Sequence, residues 1–401
     1  IIRLIILEMQ QKTIHKTNYK HRTILMRKLL FGFLSISFFL SCSNLKQASQ
    51  TNSTPRLNFV NAIEIPYNQD FKNTKIGGLS GIDYDKKQDI YYLICDERSQ
   101  VNPSRFYTAK IDLNNNQIQA IDFQDTHTLK NQEGKLFGNW LSTPETSADP
   151  EDIRYNPKSN SLIWSSEGAR VLTSDKTVLQ NPSITFMDLK GNFKDYIKLS
   201  SNLEMQKEEK GPRNNGTLES ITFDKNYKNI YTCVEEPLFE DGEKASTDKG
   251  ALIRLYQFNV KTKKNTAQYA YLLDPIAKEP NPKGSFGVNG VAAIQYYKKD
   301  QLLVLERSYS TGTLACTIKV YLCHLKKATD VKNLASLKNQ SIEVASKKLI
   351  LNMDDLGIFT DNIEGLTFGP KLANGHQSLI FVSDNNFSDK QKTQLLLFEV
   401  E

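Results

Sequence analysis

The sequence predicts an all-β fold, a β-propeller of five four-stranded blades, with six blades as the alternative. The first observation is a hairpin pattern that recurs five times, opening at residues 79–84, 150–155, 218–223, 288–293 and 363–368. The second is its spacing, because the second residues of these copies, at positions 80, 151, 219, 289 and 364, are 71, 68, 70 and 75 residues apart. A fixed period in a strand-rich chain is typical of one supersecondary unit repeated around an axis.

Each hairpin carries a polar or acidic residue where its first strand begins and an acid where its second strand ends. The second strands are apolar runs at residues 91–96, 162–167, 230–235, 302–306 and 379–384, and all five end in Asp or Glu. An antiparallel hairpin returns its second strand to the end where the first began, so both marked positions lie on one rim. The repeat therefore predicts that acidic groups gather at one end of the propeller.

Two more alternating segments follow each of the first four hairpins and complete a blade. They lie at residues 105–113 and 117–123, 184–189 and 193–199, 252–260 and 266–273, and 317–325 and 342–351. Runs rich in Tyr, Phe, Ile and Val between Asn, Gly and Lys turns are typical of strands. The fifth unit has only one such segment, residues 394–400, whereas residues 57–65 precede the first hairpin without a partner. We expect this N-terminal strand to pair into the last blade, which would hide two exposed sheet edges.

Residues 26–42 differ from the rest and resemble a bacterial lipoprotein signal. A positive start at residues 26–28 precedes an apolar stretch of twelve residues, 29–40, and then Cys42. This stretch is too short to span a bilayer, which needs about 20 apolar residues. We therefore expect an export signal whose Cys42 is lipidated, with ordinary cleavage as the alternative.

This signal divides the chain into four segments. They are an upstream stretch that need not be native (1–25), the signal peptide (26–41), the lipidated cysteine with a flexible tether (42–56) and the propeller domain (57–401). A lipid on Cys42 would hold a monomeric protein at the membrane of the cell envelope, in the periplasm or at the outer membrane.

The formal net charge of +6 is a property of the leader. Residues 1–41 hold seven of the 51 Lys and Arg and one of the 45 Asp and Glu, which leaves 44 of each sign. No basic patch is therefore expected, and nucleic acid is excluded as a partner. No Cys/His cluster has zinc spacing, and Cys95 and Cys233 lie in apolar strands, so we expect buried free thiols.

The convergent acids predict a metal site. The candidate ligands are Asp96, Glu151, Glu167, Glu219, Glu235, Asn289, Glu306, Glu364 and Asp384. So many carboxylates at one channel mouth would repel one another unless cations compensate them. An oxygen-rich set suits a hard cation, and Ca²⁺ is favoured over Mg²⁺ because it accepts more ligands in looser geometry.

Four arginines are expected between the acids, where they could bind a small anionic substrate. They are Arg98, Arg105, Arg170 and Arg307. A guanidinium offers a planar fork to phosphate or carboxylate, and a metal with arginines is what hydrolysis of a phosphate ester requires. Glu151 and Glu364 are the candidate catalytic residues. The alternative is structural, since rim acids can cap loop amides of the next blade or pair with arginines within the fold.

Several short strings resemble the phytase-like family of exported bacterial proteins, which carries the description esterase-like activity of phytase. They lie at residues 78–84, 96–99 with 105–107, 149–154, 166–168, 234–238, 305–309, 362–367 and 382–387. The resemblance runs from about residue 76 to the C-terminus, and it implies a propeller related to calcium-dependent phytases with a phosphoesterase or esterase activity. The chain departs from the family's Glu-Gly pattern at Asp152 and Ser220, and it carries Asn289 where an acid could stand.

Three functions remain open. The first is a calcium-dependent phosphoesterase that acts on an organic phosphate at an acidic, arginine-lined funnel. The second is a non-catalytic propeller that binds a ligand or a partner, with calcium holding the blades together. The third is hydrolysis of a lactone or another carboxylic ester around one Ca²⁺, for which Glu151, Asn289 and Asp384 could supply the ligands.

Overall fold

The computed structural model describes residues Thr54–Glu401. The expected signal peptide, Cys42 and most of the expected tether lie outside the described residues. Among the residues described, no helix has the length and apolar character needed to cross a bilayer. The described residues include four short 3-10 helices, at Pro144–Thr146, Ser201–Leu203, Phe239–Asp241 and Met353–Leu356.

Five four-stranded antiparallel sheets form the blades of a β-propeller, which confirms the predicted fold class. The first blade comprises Leu79–Asp85, Ile90–Cys95, Arg105–Asn114 and Gln117–Thr128, and the second comprises Pro150–Asn156, Ser161–Ser166, Ser183–Met187 and Phe193–Tyr196. The third comprises Ser220–Phe223, Asn229–Cys233, Leu252–Asn259 and Asn265–Leu272, and the fourth comprises Gly287–Lys298, Gln301–Ser310, Thr317–His324 and Ser346–Asn352. Two short hairpins that the sequence did not predict lie outside the blades, Asp70–Phe71 with Thr74–Lys75 and Ala169–Leu172 with Thr177–Gln180.

The last blade combines the first strand of the domain with its last three strands. Its inner three strands are Asn362–Lys371, Gln377–Asp384 and Thr393–Val400, and its outermost strand is Leu57–Ile65. The last two strands run antiparallel, with Leu57 opposite Val400 and Ile65 opposite Thr393. Arg56 and Glu401 exchange both backbone hydrogen bonds at 3.0 Å, so the pairing begins inside the segment expected to be a tether.

The core lies between neighbouring blades, because the inner strands are covered on both faces. Every residue of Pro150–Asn156 is buried, whereas the outermost strand of the same blade, Phe193–Tyr196, is largely exposed. Between the first two blades, Ile94 packs in one cluster with Ile153 and Trp164. Four cysteines of the described chain, Cys95, Cys233, Cys316 and Cys323, are buried free thiols, as expected for Cys95 and Cys233.

A single guanidinium ties the inner strands together. Arg154, on the inner strand of the second blade, is 2% exposed. It donates hydrogen bonds to one carbonyl oxygen from each of the other four blades, those of Ile82, Ile221, Leu366 and Ile294. It also pairs with Asp152 Oδ2 at 2.8 Å. The inner strands therefore converge on one buried cation.

Glycine in the repeat allows neighbouring inner strands to approach closely. A Cβ atom on Gly81 would lie 2.7 Å from the Cα atom of Asp152, and one on Gly365 would lie 2.6 Å from the carbonyl oxygen of Ser80. In the second and third copies Asp152 and Ser220 replace this glycine. Their side chains link the two blades instead, since Ser220 Oγ donates to Asp152 Oδ2 at 2.8 Å.

Candidate metal centre

The acidic ends of four hairpins meet at a cavity of about 440 Å³ on one rim of the propeller. Six carboxyl groups line it, those of Asp96, Asp149, Glu151, Glu167, Glu219 and Glu364, together with the guanidinium groups of Arg98 and Arg307. A seventh acid, Glu97, faces the cavity but is paired with buried Arg105. Six ionised carboxylates against two guanidinium groups would leave an excess of four negative charges.

A backbone contact that recurs in three blades places the acid at the end of the second strand. Its N–H donates to the carbonyl oxygen two residues before the marked position of the first strand. The pairs are Asp96 with Gly78 at 2.6 Å, Glu167 with Asp149 at 3.1 Å and Glu235 with Thr217 at 2.7 Å. The hairpin thus continues one pair beyond its strands, and this extension holds both marked positions on the same rim.

Within the cavity, the acids form two overlapping groups of three. Asp96, Asp149 and Glu151 make one group, and Glu151, Glu167 and Glu219 make the other. In each group one carboxylate oxygen per residue lies within 4.8 Å of the others. Glu151 belongs to both, so the arrangement suits two neighbouring cations that share one carboxylate.

Burial and mutual repulsion raise the pKa values of these acids. Burial is the larger cause for Asp96, Glu151 and Glu219, whose pKa values lie well above their usual range, and the charges of neighbouring carboxylates add to it. The same causes raise the pKa of Glu167 to about 8. The cavity therefore holds more carboxylate than its own arginines compensate.

Among the residues that the structure describes, Glu364 Oε2 and Asp384 Oδ2 are buried carboxylate oxygens with neither a hydrogen-bond partner nor a lysine at the atom, whereas the third such oxygen, Glu236 Oε2, lies 2.5 Å from Lys244 Nζ. Buried polar atoms are rarely left unpaired in native proteins, so each such atom requires an explanation. The donor set contains only oxygen atoms and carries an excess of negative charge, which is what a hard divalent cation requires. The residues present therefore fit Ca²⁺.

The two arginines of the cavity are each held by acids. The guanidinium group of Arg98 makes two hydrogen bonds to Asp149 and lies 4.9 Å from the ring centroid of Trp140. Arg307 donates from Nη1 to Glu364 Oε1 at 2.5 Å and from Nη2 to Glu235 Oε1 at 2.9 Å. Each guanidinium group thus lines the cavity with N–H donors already committed to carboxylates.

The other two predicted arginines do not line this cavity. Arg105 is fully buried and donates to Glu97 Oε2 at 2.6 Å and to the carbonyl oxygen of Lys75 at 2.7 Å. Arg170 donates to the backbone carbonyl oxygens of Gln206, Lys207 and Glu208 in a neighbouring loop. Both arginines therefore make hydrogen bonds within the fold, and neither lines the acidic cavity.

The fourth blade does not contribute its predicted ligands to the cavity. Glu306 accepts hydrogen bonds from Lys347 Nζ at 2.5 Å and from the Tyr271 hydroxyl at 2.7 Å, and both partners hold it away from the centre. Asn289 Nδ2 donates to Glu306 Oε2 and to the carbonyl oxygen of Asp274, each at 2.8 Å. Lys347 neutralises Glu306, so four blades, and not five, contribute acids to the cavity at this rim.

Of the remaining predicted ligands, Asp384 is fully buried, and the neighbouring charge of Glu364 adds to burial in raising its pKa. Glu235 binds Arg307 and faces an adjoining cavity. Asp149 was not among the predicted ligands, although it lies in the acidic cavity. The signal for it was local, since Asp149 stands two residues before Glu151 in an acidic string.

Together, the fold and this cavity define a β-propeller with an acidic centre. A comparison with family models identifies the chain more specifically. A family model described as "Phytase-like: Esterase-like activity of phytase" matches residues 74–387, and the chain belongs to this family.

Solved structures similar to the chain include three enzymes. The GH43 endo-arabinanase from Bacillus licheniformis has 15% identity and a TM-score of 0.38 over 81% of this chain and 95% of that one. A periplasmic gluconolactonase from Pseudomonas aeruginosa has 9% identity and a TM-score of 0.35 over 80% and 84%. A putative 6-phosphogluconolactonase from Bacteroides uniformis has 10% identity and a TM-score of 0.33 over 76% and 77%. Similarity at this level carries no information about activity, and the comparison with curated proteins found no match.

Proposed function

We propose that this protein is a calcium-dependent phosphoesterase that acts on an organic phosphate ester in the acidic cavity. The observation that carries the proposal is the pair of three-carboxylate groups that share Glu151. Sites with two neighbouring cations are typical of enzymes that cleave phosphate esters. Membership of a family described by the esterase-like activity of phytase supports hydrolysis of an ester.

Five acids would hold the cations. Asp96, Asp149 and Glu151 would bind one, and Glu151, Glu167 and Glu219 would bind the other, with oxygen ligands of the kind that Ca²⁺ prefers. When bound, the cations would polarise the phosphoryl group of the substrate and lower the pKa of the attacking water. In this proposal Glu151 is a shared ligand rather than a proton acceptor.

Glu364 is the stronger candidate for proton transfer. Its Oε1 atom accepts hydrogen bonds from Arg307 Nη1 at 2.5 Å and from Asn362 Nδ2 at 2.9 Å, which fix the carboxylate. Its buried Oε2 atom has no partner and is free to accept a proton from water. Arg98 and Arg307 would bind the phosphate oxygens and offset charge that develops on them.

The lactonase alternative is disfavoured by the position of Asn289. Its side chain is committed to Glu306 and Asp274, so Glu151, Asn289 and Asp384 do not form one ligand set. The non-catalytic alternative is favoured by one observation. Arg307, from the fourth blade, joins Glu235 of the third to Glu364 of the fifth, and such a bridge would stabilise the propeller without any reaction.

Hydrolysis of 4-nitrophenyl phosphate and 4-nitrophenyl acetate separates these functions. Each ester is supplied to the purified protein with Ca²⁺ or with EGTA, and Glu364→Gln is compared with the wild type. The proposal predicts calcium-dependent release of phosphate that falls at least 100-fold in Glu364→Gln. Cleavage of the acetate alone would favour the carboxylic esterase. A rise in melting temperature with calcium but no turnover of either ester would favour the binding protein.

A matched control comes from the fourth blade. Glu306 is as buried as the cavity acids but is neutralised by Lys347 and does not line the cavity. Glu306→Gln should therefore retain the calcium-dependent turnover of the folded fraction. Loss of turnover in this variant at full folding would contradict the assignment of the site.

We also propose that this activity is exerted at the cell envelope through a lipid on Cys42, in line with the signal-like segment before it. Labelled palmitate should be incorporated by the wild type and not by Cys42→Ser. Equal labelling of both proteins would contradict the anchor.

A further inference from the structure

A second and larger cavity of about 780 Å³ opens beside the acidic one. Its wall includes exposed apolar side chains, Phe286 at 63%, Leu314 at 97% and Tyr309 at 36% exposure. The ring centroids of Phe286 and Tyr309 lie 6.3 Å apart. Apolar side chains that gather in a cavity next to a polar centre are typical of a ligand-binding surface.

The two cavities share four lining residues, Arg307, Asn215, Asn362 and Asn386. All four side chains carry N–H donors, and none is a carboxylate. Arg307 Nε is buried and has no hydrogen-bond partner. A phosphate bound at this boundary would have the acidic groups on one side and the apolar surface on the other.

The charges of the first cavity limit how many phosphate groups a substrate can carry. Arg98 and Arg307 are its two guanidinium groups, and both are already paired with acids. The second cavity adds Lys244 and Lys390, of which Lys244 is paired with Glu236 at 2.5 Å, and it also adds the carboxyl groups of Glu235, Glu236 and Asp361. Six cavity carboxylates would repel further phosphates that no cation compensates.

We propose that the second cavity binds the alcohol part of the ester, and that the substrate is a monophosphate of an apolar, ring-bearing alcohol. The inference rests on the proposed phosphoesterase function and names its substrate class. A polyphosphorylated alcohol would place anionic groups against Phe286 and Leu314, where the structure offers apolar contact instead.

Binding of two phosphonates tests this inference without turnover. Benzylphosphonate and methylphosphonate carry the same anionic group and differ in the ring, and isothermal titration calorimetry with the calcium-loaded protein gives both affinities. We expect benzylphosphonate to bind at least tenfold more tightly. Hydrolysis of benzyl phosphate and ethyl phosphate should show the same preference in kcat/KM.

Two variants assign the preference to this cavity. Phe286→Ala should reduce the affinity ratio at least threefold and leave the affinity for methylphosphonate unchanged. Tyr196→Ala is the matched control, because Tyr196 is 53% exposed on the outermost strand of the second blade and lines neither cavity. It should leave the ratio unchanged.

The outcomes distinguish this inference from the proposed function. Equal affinities for the two phosphonates, or a ratio that Phe286→Ala does not change, would overturn the substrate class while ethyl phosphate hydrolysis still supports a phosphoesterase. Failure to bind either phosphonate and to hydrolyse either ester would overturn both.

Discussion

In the absence of calcium, the free energy of unfolding of this protein should decrease as the pH rises. The pKa of Glu167 is raised from 4.5 to about 8 by burial and by neighbouring carboxylates. Between these two values the folded, metal-free protein keeps a proton that the unfolded chain has released. Stability then decreases with pH, because the folded state binds more protons than the unfolded state. At about 1.36 kcal/mol per pH unit, this group alone contributes a loss of up to about 5 kcal/mol.

Urea denaturation at pH 5, 6, 7 and 8, with EGTA or with Ca²⁺, measures this loss. Glu167→Gln removes the titrating group, and an amide oxygen can still accept the hydrogen bond that Thr217 N–H now donates to Glu167 Oε1 at 2.6 Å. The variant should show a flatter pH dependence in EGTA.

Between pH 7 and pH 8, the change in the free energy of unfolding reports the titration of the buried acids without that of His127. Burial lowers the pKa of His127 from its usual 6.5, so its contribution has the opposite sign and is confined to lower pH. In calcium the carboxylates stay ionised, and the pH dependence should be weak. A metal-free protein whose free energy of unfolding is constant or rises from pH 7 to pH 8 would refute the reasoning.

Four further predictions concern single substitutions. Glu151→Gln should weaken calcium binding at least tenfold in titration calorimetry and stabilise the metal-free protein. Glu306→Gln should lower stability by about 1–3 kcal/mol and leave calcium affinity unchanged, because it leaves the partly buried Lys347 short of one partner. Arg154→Met should lower the free energy of unfolding by about 3–5 kcal/mol, since it leaves Asp152 without its buried partner and four carbonyl oxygens without a donor; an unchanged melting temperature would contradict its central role. Gly365→Ala should cost about 1–3 kcal/mol in urea denaturation, because its Cβ atom would lie 2.6 Å from the Ser80 carbonyl oxygen.

The fold could be predicted from the sequence because its repeat has a strong local signal. Alternating apolar residues and a spacing near 70 residues favoured five blades over six, and the strand Leu57–Ile65 has the predicted bounds. The prediction was less accurate where apolar residues pack in a loop and not in a strand. Residues 342–351 were expected to be one strand, but the strand is Ser346–Asn352. Ile342 and Val344 instead pack against Val331 and Leu337 in the loop that joins the last two strands of the fourth blade.

The site was harder to predict because partners distant in sequence decide where each acid points. Glu167 and Glu306 occupy equivalent positions at the ends of second strands, yet only Glu167 reaches the acidic cavity. Lys347, 41 residues beyond Glu306, neutralises the fourth blade's acid. No local pattern marks Lys347 as that partner. Arg105 likewise follows an acidic string but binds Glu97 within the fold.

Calcium stoichiometry, measured by titration calorimetry in the presence of phosphate, tests the central claim most directly. The two clusters of three carboxylates that have Glu151 in common predict two calcium ions per chain in the wild type. They also predict weaker binding of both ions in Glu151→Gln. A protein that binds no calcium, or one ion with an affinity that Glu151→Gln does not change, would contradict a two-cation phosphoesterase centre at this rim.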